Sequence, residues 1–167
     1  ALAPELNKVQ RAIIRYAAPV AGSLFALAFL WVVLGDPMVA VAWITLGLAL
    51  LGIGLYSKAA DLRIQAAAIA GLVLWRTLTS NLAGAILEPR WPAVSAVIVA
   101  LYAAQLVSPR VAKSRLDRYS RLYYSLLAAT LLTILLYKEV TGGWLTVAWG
   151  IEALLLLSSG FPLRERA

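Results

Sequence analysis

The chain has 167 residues, 62% of them hydrophobic and only 14% charged. Soluble domains carry roughly a quarter charged residues, so lipid is the expected solvent for most of this chain. The formal charge of +7 does not make a nucleic-acid partner, because the basic residues sit between long apolar runs and not on one face of a soluble module. With no Cys and no His, disulfides, thiolate chemistry, zinc sites, catalytic His and bis-His haem are excluded, and no cofactor or metal is expected.

The chain begins with Ala1 and shows no short apolar region followed by a cleavage site, so no signal peptide is expected. Residues 1–15 read as a basic amphipathic segment on the cytoplasmic side. Leu6, Val9 and Ile13 recur at helical spacing, and Lys8, Arg11 and Arg15 form a second stripe. That pattern fits an interfacial helix feeding the membrane, and equally an ordinary basic flank that sets topology.

A hydrocarbon core of about 30 Å needs roughly 20 helical residues at about 1.5 Å each. Six apolar windows bounded by charge meet that need: 16–35, 37–57, 64–87, 91–109, 122–137 and 140–163. The expectation is an all-α, polytopic integral membrane protein. Helices one to four occupy 16–107, a basic linker 108–121, helices five and six 122–163, and a cytoplasmic tail 164–167. The fifth window is the shortest, but Arg121 and Lys138 bracket it and can extend their stems along lipid. Gly35, Asp36 and Pro37, then Glu88 to Pro92, then Gly142 with Gly143 supply tight turns, so consecutive helices are expected to be antiparallel neighbours.

Orientation follows from basic residues on alternate sides. Of the fifteen Lys and Arg residues, twelve fall on the side of the N-terminus, the second and fourth loops and the C-terminus. Only Arg90 and Lys138 fall on the other, and Arg76 lies inside a span. Both termini are therefore expected in the cytoplasm. Trp31, Trp91, Tyr137 and Trp144 at the outer interface, with Tyr16, Tyr56, Tyr119 and Phe161 at the inner one, agree with that frame. In the linker, Arg110, Lys113, Arg115, Arg118 and Arg121 favour anionic lipid headgroups by about 1 kcal/mol per nearby cation.

Shifting the sequence by 106 residues aligns Arg15 with Arg121 and Val41-Ala42-Trp43 with Val147-Ala148-Trp149 without a gap. Leu48, Leu50, Leu51 and Gly54 find identities at Leu154, Leu156, Leu157 and Gly160. Shared Leu and Ala bias does not account for Trp and Arg in register, so a duplicated helical hairpin is the expectation, in parallel orientation because the offset covers four spans. The second copy stops where the first continues into Asp61-Leu62-Arg63, as in a piece of a longer array. The segments VAWITLGLALLGIGLYSKAADLRIQ from Val41 and VAWGIEALLLLSSGFPLRER from Val147 carry a resemblance to the large bacterial multi-pass predicted membrane proteins of unknown function. It covers most of the chain and implies architecture and a bacterial cytoplasmic (inner) membrane, with no catalytic residue to carry over.

Arg76 and Glu152 are the ionisable residues well inside a window, each near its middle. An unpaired Arg at a helix centre costs about 2.5–3.5 kcal/mol on insertion scales, so both should face protein or water. The expectation is an ion pair across a helix interface, through two parallel hydrogen bonds. Thr77, Thr79, Ser80 and Asn81 extend the polar stretch, and Gln65 and Gln105 are in position to join it. Ala96, Ala100 and Ala104, and Ala67 with Gly71, permit close helix approach.

These features favour a non-catalytic scaffold or accessory subunit of a larger membrane complex, in contact with lipid and other subunits. The alternative is a transporter or channel component with a midplane polar site around Arg76, Asn81 and Glu152, although transporter folds break helices at that depth with Gly or Pro and the only proline inside a window away from a loop edge is Pro19, near the inner end. An intramembrane enzyme ranks third, since no paired acids or nucleophile motif are present.

Overall fold

The computed structural model describes residues 8–82, 91–108, 115–140 and 142–160, with side chains for 17–35, 38–80, 82, 91–108, 119–140 and 142–154. Among these residues the chain is all-α, with six α-helices and no strand. They are α1 (Lys8–Val33), α2 (Asp36–Tyr56), α3 (Ala60–Arg76), α4 (Trp91–Val107), α5 (Arg115–Glu139) and α6 (Trp144–Gly160). A π-helical turn, Thr77–Asn81, continues α3 without a break.

The helix breaks lie where turn chemistry places them. Gly35 is extended (φ −68°, ψ 161°) ahead of α2, whose first turn contains Pro37, a residue with no backbone N–H to lose there. Between α2 and α3 the chain reverses at Lys58, in the left-handed region at φ 56°. Gly142, at φ +68°, opens the turn into α6, a conformation that favours glycine. The expected turn around Glu88 to Pro92 falls mostly outside the described residues.

Helices α2, α3, α5 and α4 form a ring in which each packs on the next, and they enclose a single core. Val39 and Ile44 of α2, Ala70 and Val73 of α3, Val94, Val97 and Leu101 of α4, and Ala128 and Leu131 of α5 are buried there. The remaining two helices lie outside the ring, α1 against α2 and α3, and α6 against α5. Small residues permit the closest approaches: a Cβ on Gly47 would stand 3.3 Å from Ile69 Cγ2, and one on Gly71 would stand 2.7 Å from the Tyr123 hydroxyl. That hydroxyl donates to the Ala67 carbonyl at 3.2 Å, so Ala67 and Gly71 form the seat of Tyr123 between α3 and α5. In contrast, Ala96 is exposed and Ala104 buried, so the α4 alanines do not make one contact face.

Three boundaries differ from the sequence reading. The basic N-terminal segment and the first apolar window belong to one 26-residue helix from Lys8, which runs through Pro19. The fifth helix, expected to be the shortest, has 25 residues and takes in the second half of the basic linker. Helix hydrogen bonds are satisfied within the segment in either solvent, so a helix need not stop where its apolar stretch does. The third window, expected at 64–87, is α-helical from Ala60 and turns π after Arg76.

Large apolar side chains are exposed on every helix. They include Phe25 and Phe29 of α1, Ile53 of α2, Trp75 of α3, Val99 of α4, Leu126 of α5 and Leu154 of α6. Helices apolar all round are those of a large core or a membrane. Two segments, Met38–Tyr56 and Tyr119–Glu139, are long and apolar enough to cross a membrane, whereas Ala17–Val33, Trp91–Val107 and Trp144–Leu154 are apolar but shorter.

Candidate functional site

The two charges expected to pair have different neighbours. Arg76 closes α3, and its guanidinium carbon stands 4.4 Å from the centroid of a Trp31 ring on α1. A cation over an aromatic face is stabilised by the ring quadrupole, by up to about 2 kcal/mol when desolvated. Trp31 is held in turn by a tilted contact with Trp43 of α2, centroids 5.7 Å apart. The Trp43 indole N–H donates to the Leu27 carbonyl at 3.0 Å, which locks the α1–α2 contact beneath the guanidinium.

Glu152 is buried, with 7% of its surface exposed, and its Oε1 accepts a 2.9 Å hydrogen bond from the Thr133 hydroxyl of α5. Tyr102 of α4 lies within electrostatic reach of the same carboxylate. The structure thus does not bring Arg76 and Glu152 into a described contact; one belongs to α1–α2–α3 and the other to α4–α5–α6.

Trp31 lies two residues from the end of α1, the helical run that carries Arg76 continues through Asn81, and Glu152 lies eight residues into α6.

Directly after Arg76 the helix widens. The Leu82 N–H bonds the Thr77 carbonyl at 2.9 Å, five residues back, while the Thr77 N–H reaches both Leu74 and Val73 carbonyls. The Thr79 hydroxyl donates to the Trp75 carbonyl at 2.9 Å. Thr77 is fully buried and its Oγ1 has no hydrogen-bond partner. A buried orphan hydroxyl costs about 1–3 kcal/mol, and π turns concentrate where a helix has a local task.

The supporting polar residues are dispersed. Gln65 meets α1, where its Oε1 accepts from the Ser23 hydroxyl at 3.1 Å. Ser80 and Gln105 are half-buried, on the π turn and on α4. The side chain of Asn81 lies outside the described residues. So do Arg110 and Lys113, and the side chains of Arg115 and Arg118; Arg121 is half-buried with its Nε enclosed in protein.

Thr133, Trp31 and Ser23 complete these contacts without having been singled out as partners. For Thr133 a signal was present: it lies nine residues before Gly142 and Glu152 ten after, so a tight antiparallel hairpin sets them side by side. Compared with protein-family models, with curated proteins and with solved structures, the chain matches none.

Proposed function

We propose that this chain is an integral membrane scaffold or accessory subunit of a larger membrane protein complex, without catalytic activity of its own. In this reading it spans a bacterial cytoplasmic membrane several times, with both termini in the cytoplasm and the basic 108–121 linker against anionic headgroups. The observation that carries it is the exposure of large apolar side chains on all six helices, above all on α1 and α6, which the ring leaves outside. Such a surface is stable against lipid tails or other membrane helices and costly in water. The polar contacts fit the same reading, because each ties two helices: Ser23 to Gln65, Trp43 to Leu27, Tyr123 to Ala67, and Thr133 to Glu152.

The test is to tag the chain in its native membrane, extract it in mild detergent, and identify what co-migrates in stoichiometric amount. A defined set of larger membrane proteins supports the reading. Migration of the chain alone, with solute flux in liposomes, contradicts it.

A second reading, a transport component, draws on one observation: the π turn beside Arg76, with the unpartnered Thr77 hydroxyl inside it, widens the continuation of α3 without Gly or Pro. Flux that is present in the wild type and lost in Arg76→Ala and Thr77→Val would favour it.

A further inference from the structure

Among the described side chains Glu152 is the acid that the bundle encloses: Asp61 is half-buried and Glu139 exposed, whereas Glu152 keeps only 7% of its surface at the seam of α5 and α6. Its described partners are the Thr133 hydroxyl, which donates to Oε1 at 2.9 Å, and Tyr102 of α4 within electrostatic reach. Neither brings a positive charge. On α5, Ala129, Thr130, Leu136 and Tyr137 lie one turn to either side of Thr133, and on α6 Ala148 lies one turn before Glu152; all are uncharged. Lys138 is exposed at the end of α5, five residues or about 7.5 Å along the axis beyond Thr133. Arg76 is engaged over Trp31 on the other side of the bundle.

Burying an isolated charge costs far more than burying a neutral polar group, and lipid tails supply no water to offset it. Hydroxyl donors reduce that cost but leave the net charge in place. The charge must be met by a fixed cation or by a mobile one, and the described residues set no fixed cation against it. Thr133 suits a mobile one, because a hydroxyl donates to a bare carboxylate, accepts from a carboxyl O–H, or turns its lone pairs to a metal ion.

We infer that Glu152 and the Thr133 hydroxyl, with Tyr102 alongside, bind one exchangeable monovalent cation, a proton or an alkali-metal ion, where α4, α5 and α6 meet. A single acid makes a site and not a relay. The inference rests on the membrane placement proposed above, and it holds for a subunit and for a transport component alike.

The test treats the full chain in proteoliposomes with dicyclohexylcarbodiimide, which partitions into lipid, or with a water-soluble carbodiimide, in sodium chloride or in choline chloride. Peptide mass spectrometry locates the adducts. In the reaction the carboxyl oxygen bonds the central carbon of the reagent and the carboxyl proton passes to a reagent nitrogen; the acyl group then shifts to nitrogen as a stable acylurea. Within an apolar site the proton must arrive with the carboxyl, so a carboxylate paired to a fixed cation stays unlabelled. The expected result is an adduct on Glu152 from the apolar reagent, none from the soluble one, and loss of the adduct in Glu152→Gln. Slower labelling in sodium than in choline, with the difference lost in Thr133→Val, assigns an alkali ion; equal labelling in both salts assigns the proton. Infrared spectra give a second readout: a carboxylic C=O stretch that disappears in Glu152→Gln, or a carboxylate band that sodium shifts. Absence of the adduct and of both bands, in a chain that resists carbonate extraction, overturns the inference and spares the membrane placement. Labelling of Glu152 by the water-soluble reagent in such a chain also overturns the inference alone, since the site is then open to water. Release of the chain by carbonate overturns both.

Discussion

The two hairpins are alike in sequence and opposite in burial. In α1–α2 the second helix is the inner one, with Val39, Ala40, Trp43, Ile44 and Leu51 in the core, and α1 lies outside. In α5–α6 the first helix is inner, with Tyr124, Leu127, Ala128, Leu131 and Leu135 buried, and α6 lies outside. Trp43 is 6% exposed and bonded to a carbonyl, whereas its counterpart Trp149 is 41% exposed. One local sequence thus serves as core or as surface according to which helices surround it, because packing and not local pattern decides what an apolar helix face meets.

The sharpest way to break this comparison is to truncate the two tryptophans. Trp43→Ala removes a buried indole, its hydrogen bond and the support of Trp31, and should cost about 3–5 kcal/mol. Trp149→Ala should cost less than about 1 kcal/mol in the isolated chain. Reversible unfolding of the purified protein in mixed micelles measures both, and equal losses would mean that the hairpins are packed alike.

Next in size is the seat of Tyr123 between α3 and α5. Gly71→Ala should displace the hydroxyl from the Ala67 carbonyl and cost about 1–3 kcal/mol. In Tyr123→Phe the clashing oxygen is gone, so Gly71→Ala should be much milder there. A double-mutant cycle without that coupling would contradict the contact.

Thr133→Val should cost about 1–2 kcal/mol, since it leaves the buried Glu152 carboxylate without its described donor. Glu152→Gln should soften that loss in the same unfolding assay. The smallest effect has the opposite sign. Gly150→Ala adds a methyl where nothing lies within 4 Å and should stabilise α6 by up to about 1 kcal/mol. Gly54→Ala, whose Cβ would stand 3.1 Å from Leu62 Cβ and 3.2 Å from the Ala59 carbonyl, should destabilise the first hairpin.

Much of the helix plan was legible because charge and turn residues bound each apolar run. Gly35 and Pro37 at the start of α2, and Gly142 ahead of α6, are local chemistry that tertiary contacts did not override. What hydropathy could not supply was helix length and partner. The limits of an apolar window are not the ends of a helix, so α5 is longer than its window. Choosing between Trp31 and Glu152 as the neighbour of Arg76 requires knowing that α1 packs on α3, a fact set by side-chain fit around Ser23 and Gln65. The π turn was illegible for the same reason: Thr77–Asn81 carries polar residues but no Gly or Pro. Thr77 and Leu82, at its two ends, are both buried.

The central claim is that this bundle lives in lipid, with α2 inside and α6 at its boundary. Single-tryptophan variants that retain Trp43 or Trp149, reconstituted as the chain alone in bilayers of acyl-chain-brominated lipid, test it most directly. Strong bromine quenching of Trp149 with Trp43 protected is the predicted result. Quenching of Trp149 by aqueous iodide and not by brominated lipid would contradict the account.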